Sequence, residues 1–238
     1  MGRGSSGGCL ETIIQVNTQI TRVPPRREPA LQRTSHARDL APKKRPSQRR
    51  SQETFDALVE ACTWLLARRG YAGVTTNRVA ERAGVNIASL YEYFPGKDAI
   101  VAQVAERLVQ RVLSRLATGA ERALAAGKVD AVRLWIEWIH ETIAREKALV
   151  SVFLYQVPYT NQLEPVQAIG ARLLELSQQV RGNAGGFVRA DFSDASLHLL
   201  INLVTSTIMQ SVLDPPEDVS RRALLDELIR RVEEWIRG

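Results

Sequence analysis

The stretch "TTNRVAERAGVNIASLYEYF", which begins at Thr75, restricts the fold of this chain more than any other. Ala80 is small at the point where two helices must cross closely. Gly84 follows four residues later, where a tight turn needs the left-handed backbone that glycine adopts without a Cβ clash. Apolar side chains fill the wedge between the two helices at Val79, Val85 and Leu90. The spacing therefore predicts a helix-turn-helix, in which Asn86 caps the second helix.

Apolar periodicity predicts helices on both sides of this unit. An amphipathic helix precedes it between Ser51 and Gly70, and a long helix follows Pro95-Gly96 from Lys97 to about Ala117. With the pair itself, the predicted helices are 51–70, 76–83, 87–94, 97–117, 129–144, 146–157, 163–181, 192–213 and 218–237. No stretch combines period-2 alternation with hairpin residues. We therefore expect an all-α fold of about nine helices.

Charge divides the chain unevenly. Residues 1–50 carry 11 Lys or Arg and 3 Asp or Glu, whereas residues 51–238 carry 21 and 23. The first 48 residues also mix prolines with basic side chains and lack apolar periodicity, which predicts a flexible basic arm. A start codon assigned upstream of the true one is the alternative. We expect a helix-turn-helix domain over 49–96 and a second helical domain over 97–238.

The second helix of the pair has chemistry suited to a DNA groove. Ile87, Ala88 and Tyr91 form a stripe without an acidic residue, and small apolar side chains let a helix enter a major groove and contact thymine methyls. Tyr91, Tyr93 and Lys97 supply hydroxyl and ammonium donors for phosphates, which fix register rather than read sequence. The alternative is that the tyrosines complete a small core and leave their hydroxyls in water.

The longer segment "GYAGVTTNRVAERAGVNIASLYEYFPGKDAIV" resembles the DNA-binding domain of the TetR (tetracycline repressor) family of bacterial regulators. Four positions carry a substitute for the residue usual in that family, namely Val79 for Ile, Asn86 for Ser, Ala88 for Gly and Ile100 for Leu. Each substitute keeps the physical role. The resemblance covers roughly residues 51–104, and its motif is highly specific. For the remainder it implies only a helical domain that binds ligands and forms dimers.

The resemblance implies a homodimeric transcriptional regulator, a repressor that binds a palindromic operator in double-stranded DNA and is released by a small hydrophobic effector. Thr76 would meet a phosphate, and Asn77 a base edge or a phosphate. The residues expected at the DNA are Thr76, Asn77, Ile87, Ala88, Ser89, Tyr91, Tyr93 and Lys97. The alternative is a DNA-binding regulator or nucleoid factor without a small-molecule effector.

The last two predicted helices carry apolar stripes wider than one face, which indicates burial on several sides. In a family dimer these helices would pair with their copies. The expected interface residues are Leu197, Leu200, Val204, Ile208, Leu225, Ile229 and Val232. The alternative is an ordinary core within one chain.

Aromatic and apolar side chains cluster in the middle of the second domain, where an effector pocket would lie between helices. The candidate pocket residues are Trp135, Trp138, Ile139, Phe153, Tyr155 and Tyr159. Residues at helical spacing also make plain core, so this alternative stays open.

Other function classes find no support in the sequence. Ser193, Asp194, Ser196 and His198 lie close together, but no nucleophile elbow or oxyanion loop accompanies them, so we expect no catalytic residues and no enzyme. The histidines lack partners at metal-ligand spacing, so no metal or cofactor is expected. No apolar run approaches the roughly 20 residues of a membrane span. Two distant cysteines fit a reducing cytoplasm, which is the expected location.

Overall fold

A computed structural model describes residues 39–126, 130–183, 188–189 and 191–237. Over these residues the chain forms nine α-helices and one short 3-10 helix and contains no strand, which confirms the predicted all-α class. The helices are α1 (Arg49–Arg69), α2 (Thr76–Ala83), α3 (Ile87–Tyr93), α4 (Lys97–Ala125), α5 (Ala131–Arg145), α6 (Lys147–Tyr155), the 3-10 helix (Thr160–Gln162), α7 (Glu164–Asn183), α8 (Asp194–Leu213) and α9 (Arg221–Arg237).

Helices α1 to α3 form a small head with its own apolar centre. Phe55 of α1 stacks on Phe94, with ring centroids 4.9 Å apart, and meets the edge of Tyr93 at 5.9 Å. Val79 and Leu90 are fully buried between α2 and α3, as the helix-turn-helix spacing predicts. Burial of these side chains fixes the angle between the two helices.

Helix α4 belongs to both parts of the molecule. Its first turns bury Ile100 and Val104 in the head, and its later turns pack on α5 and α7. The helix was predicted to end near Ala117 but continues to Ala125, because Ala120 and Ala123 extend the buried stripe. The expected domain boundary after residue 96 therefore lies at the start of a helix that the head and the body share.

Gly119 allows α5 to approach α4 closely. The indole of Trp138 lies against the glycine Cα, where any Cβ would collide with the ring. The indole Nε1 donates a hydrogen bond to the Arg115 carbonyl at 2.6 Å. Trp138 thus joins α5 to α4.

The expected interface residues on the last two helices lie inside the chain. All seven are at most 9% exposed, because the faces of α8 and α9 that carry them turn towards each other and towards α5 and α7. The opposite face of α8 is the exposed one, with Leu199 at 53% and Leu203 at 49% exposure. These seven side chains therefore pack within the chain, and the apolar surface of α8 is made by other residues.

Helix α8 is unusually apolar for a helix with one open face. Among the described residues it is the one helix long and apolar enough to cross a membrane, with a mean hydropathy of 1.4 over 18 residues. One third of that window, 33%, is buried inside the chain. Core helices of globular proteins pass the same test of length and composition, and α8 packs against α5, α7 and α9 as a core helix does.

Candidate nucleic-acid interface

The turn between α2 and α3 is built as the sequence predicts. Thr75 Oγ1 accepts a hydrogen bond from the Arg78 amide at 3.3 Å and caps α2. Gly84 has φ +68°, and its amide donates to the Glu81 carbonyl at 3.1 Å. Asn86 Oδ1 accepts from the Ala88 amide at 2.8 Å and caps α3. Both helices therefore begin at defined residues and hold a fixed relative orientation.

The start of α2 and the outer face of α3 form one continuous surface that carries both polar and apolar side chains. Asn77, Ala88 and Tyr91 are exposed on it. The hydroxyl of Tyr91 lies 3.2 Å from Thr76 Oγ1, so a hydrogen bond bridges the two helices at the surface. Ile87 and Ser89 are half-buried at its edge, where Ile87 also packs on the core.

Tyr93 and Lys97, which we expect at phosphates, also make contacts inside the head. Tyr93 is 6% exposed because it follows Leu90 by three residues and therefore shares its core-facing side. Lys97 Nζ donates to the Tyr71 carbonyl at 2.7 Å and lies 3.6 Å from the centre of the Tyr71 ring. Partial burial lowers the pKa of Lys97, against the opposing effect of Asp98. Both residues therefore have contacts within the head, and their phosphate role stays a prediction.

A polar junction connects the head to the body. We call Tyr71, Asp98, Gln156 and Tyr159 the junction cluster. Tyr71 donates its hydroxyl hydrogen to Asp98 Oδ1 at 2.6 Å, and Tyr159 donates to the same oxygen at 3.2 Å. Gln156 Oε1 accepts from the Tyr71 amide at 2.9 Å. Burial, followed by the nearby Asp98 charge, raises the pKa of Tyr159, so this hydroxyl stays protonated and acts as a donor.

An apolar cavity lies in the body between α5, α7, α8 and α9. Its free volume is about 70 Å³. Trp135 closes one wall and donates from Nε1 to Ser177 Oγ at 3.2 Å, while Arg181 lines another part and pairs with Asp194 at 2.7 Å. The lining also includes Val132, Ile136, Ile139, Leu173, Val180, Val188, Phe192, Leu197, Leu200, Ile201, Val204, Thr205, Val232 and Ile236.

The structure separates the residues expected to form one pocket. Trp135 and Ile139 line the cavity. Trp138 lies three residues further along α5 and packs on α4 instead. Phe153 is buried in the core, Tyr155 is 45% exposed, and Tyr159 belongs to the junction cluster. Sequence reasoning missed Ser177 and the walls from α7 and α8, because contacts between distant helices leave no local pattern.

No group of three or more metal-ligating side chains comes together within the described part of the chain. Cys62 is buried in the head, and burial raises the pKa of its thiol to about 12. Cys9, the other cysteine of the sequence, lies outside the described residues, as do residues 1–38 of the expected arm.

Residues 58–104 match the family model for bacterial regulatory proteins of the tetR family. The match begins inside α1, spans the whole helix-turn-helix and ends in the second turn of α4. Residues 58–104 thus form a DNA-binding domain of the kind found in the TetR family of bacterial regulators.

Two curated bacterial proteins are similar to this chain in sequence. The HTH-type transcriptional regulator YuxN of Bacillus subtilis is 21% identical over 76% of the chain and 62% of its own length. The nucleoid occlusion factor SlmA of Haemophilus influenzae is 33% identical over 34% of the chain. The chain thus spans less than two thirds of either relative, at 62% and 39%.

Solved structures share the whole architecture. A TetR-family regulator from Mesorhizobium loti superimposes with a TM-score of 0.63 at 14% identity, over 79% of this chain and 97% of that one. FadR of Bacillus subtilis, solved in complex with stearoyl-CoA, gives a TM-score of 0.58 at 16% identity, over 76% and 99%. At these identities the likeness concerns the fold.

Proposed function

We propose that this chain regulates transcription by binding double-stranded DNA through α2 and α3. The observation that carries the proposal is the exposed surface of Asn77, Ala88 and Tyr91 on two helices whose turn is rigidly capped. Ala88 presents a methyl group for a thymine methyl, and Asn77 and Ser89 present hydrogen-bonding groups for base edges. Thr76 and Tyr91 present hydroxyls for the phosphates that hold α3 in register.

The working unit of this proposal is a homodimer. Leu199 and Leu203 are spaced i, i+4 and form an exposed apolar stripe on α8, a helix whose opposite face is already buried. A second copy of α8 covers such a stripe through a two-fold axis, since the same patch then meets itself. Two α3 helices related by that axis read inverted half-sites one or more duplex turns apart. We therefore propose a palindromic operator.

The regulatory part of the proposal is a repressor that a small hydrophobic effector releases from DNA. The cavity beside Trp135 is the proposed binding place, because its walls are mostly apolar and Trp135 is held there by a hydrogen bond to Ser177. Ligand pockets usually measure about 300–1,000 Å³, so 70 Å³ requires α7 and α8 to separate when the effector enters. FadR, a structural neighbour solved with stearoyl-CoA, supports an apolar ligand.

Coupling requires that the effector bind the DNA-incompetent arrangement more tightly than the competent one. Helix α7 lies against α4, and α4 leads into the head at Asp98. A shift of α7 would therefore reach the junction cluster and change the angle of the head. Because bacterial DNA lies in the cytoplasm, the function places the chain there.

The second candidate is a DNA-binding factor without a small-molecule effector. Its support is the relative SlmA, a nucleoid occlusion factor that is 33% identical over 89 residues. The two candidates share the head and differ only in the use of the cavity.

Selection of bound fragments from a random duplex library tests the DNA-binding proposal. We expect an inverted repeat, and Ser89→Ala should change the selected bases while keeping the repeat spacing. Tyr91→Phe should weaken binding to every duplex, whereas Tyr155→Phe, equally exposed but placed on α6, should bind as the wild type does. Recovery of no common sequence from the wild-type library would contradict operator recognition.

Thermal melting with a panel of hydrophobic compounds separates the two candidates. A true effector should raise the melting temperature and release the selected DNA. Trp135→Phe should weaken that effect because it removes the hydrogen bond to Ser177, whereas Trp138→Phe, outside the cavity, should bind the effector normally. If no compound stabilises the protein, the effector-free candidate is favoured.

A further inference from the structure

Residues 39–48, which precede α1, pack against the C-terminal end of α3. Residues 39–48 were expected to belong to a flexible arm, but they contact the head. The Lys43 amide donates to the Tyr93 carbonyl at 2.7 Å, and Lys43 Nζ donates to the Tyr91 carbonyl at 3.2 Å. Leu40 packs on the core beside them. The segment thus has a defined place next to α3.

The docking follows from the way α3 ends. The Tyr91 carbonyl would normally bond to the amide four residues later, but that residue is Pro95, which has no N–H. The Tyr93 carbonyl belongs to the last turn and also needs a partner from outside the helix. Lys43 satisfies both carbonyls, and its positive charge complements the negative end of the helix dipole.

A second contact ties the same segment to α4. Arg45 pairs with Glu106 at 3.4 Å, with the arginine side chain 71% exposed and the glutamate 26% exposed. Gln103 donates to the same carboxylate at 2.7 Å and holds it in place. An exposed ion pair of this kind contributes little to stability, so the two hydrogen bonds of Lys43 provide the main attachment of the segment. The Arg45–Glu106 pair is a second, weaker contact that reaches α4.

Residues 43–50, which include the start of α1, carry five basic side chains: Lys43, Lys44, Arg45, Arg49 and Arg50. Arg49 pairs with Glu53 at 3.0 Å. Lys44 and Arg50 are exposed, and no acidic side chain pairs with either of them in the described part of the chain. Lys44 follows the residue that is bound to α3, and Arg50 lies in the first turn of α1, so both are available to a polyanion that contacts the head.

We propose that residues 39–50 form a second DNA-contacting surface, which we call the basic strap, and that Lys44 and Arg50 bind backbone phosphates flanking the groove that α3 enters. This inference rests on the proposed DNA-binding function. The strap adds affinity without sequence preference, because phosphate contacts release counterions from any duplex. Its attachment to Tyr91 and Tyr93 keeps its charges at a fixed distance from the bases that α3 reads.

The test compares full-length proteins on a mixed-sequence 30-base-pair duplex by fluorescence anisotropy over a series of salt concentrations. The strap variant is Lys44→Gln/Arg50→Gln. The matched control is Arg230→Gln/Arg231→Gln, which removes the same charge from exposed positions on α9. Each lost phosphate contact reduces the slope of log K against log salt by about 0.9. At 0.1 M salt the strap variant should bind about 10- to 100-fold more weakly.

For the strap variant, the slope of log K against log salt should become shallower by the amount that corresponds to about two phosphate contacts. For the control, the slope should equal that of the wild type. Circular dichroism should show that both variants fold, since all four side chains are exposed. If the wild type binds the duplex and the strap variant keeps its slope, the strap proposal is overturned while DNA binding stands. If the wild type binds no duplex, both the strap and the proposed function fail. Equal losses in the strap variant and the control would also overturn the strap, because net charge alone would then explain them.

Discussion

The hydroxyl of Tyr159 lies 3.2 Å from Asp98 Oδ1, the oxygen that also accepts the Tyr71 hydroxyl. Tyr71 follows α1 in the head, Asp98 is in the first turn of α4, and Tyr159 comes from the loop after α6. The tyrosine rings meet edge to face with centroids 6.1 Å apart. One carboxylate therefore joins three segments at the point where the head meets the body.

Tyr159→Phe should lower the free energy of unfolding by about 1.5–3 kcal/mol, because the ring keeps its packing and the hydrogen bond to the charged Asp98 carboxylate is lost. Tyr71→Phe should have a similar effect. Because both hydroxyls serve the same oxygen, the double variant should deviate from additivity by at least about 0.5 kcal/mol. Urea unfolding followed by circular dichroism measures all three. Strict additivity would show that the two hydroxyls act independently.

Leu199→Arg/Leu203→Arg should yield a folded monomer, since the change places two charges on the exposed stripe and leaves the core intact. Leu200→Arg should instead reduce folded protein, because an unpaired guanidinium inside the chain costs several kcal/mol. Light scattering and circular dichroism distinguish these outcomes. A stable dimer of the double variant would move the interface away from the exposed face of α8.

Gly119→Ala should destabilise the protein by about 1–3 kcal/mol, because the new methyl group would overlap the Trp138 indole and force α5 away from α4. Gly182→Ala is the matched control on α7, where the added methyl meets open space and alanine is favoured over glycine by up to about 1 kcal/mol. Thermal unfolding should therefore move in opposite directions for the two variants. An unchanged melting temperature for Gly119→Ala would contradict the close α4–α5 contact.

Stability should fall on acidification partly through His140. Burial lowers the pKa of its imidazole and outweighs Glu141, which raises it, while Arg221 and Arg222 lower it further. As the pH falls, His140 therefore becomes protonated in the unfolded state at a higher pH than in the folded state. The free energy of unfolding declines as the pH falls below about 7, through the unfolded-state pKa of His140 near 6.5. His140→Asn should flatten the change in unfolding free energy between pH 7.5 and 5.5. An identical pH dependence in both proteins would assign the effect to other groups.

The local features of the head could be predicted because each depends on residues close in sequence. Gly84 adopts the left-handed turn and Asn86 caps α3 because glycine lacks a Cβ and the amide side chain reaches the free N–H groups of its own helix. The same local logic places Tyr93 in the core, three residues after Leu90. Burial of the Tyr93 ring could therefore be read from the sequence, while its role as a phosphate donor stays a prediction.

The sequence by itself determined an all-α chain, the positions of its helices and the geometry of the helix-turn-helix, because these depend on periodicity, caps and one glycine. Only the tertiary structure decided which face of α8 is buried, since Leu199 and Leu200 are adjacent and equally apolar. It also decided that Trp135 lines the cavity while Trp138 meets Gly119, because the partners come from α7 and α4. Contacts between distant helices depend on how whole surfaces fit together, and that fit is a property of the packed chain rather than of any segment.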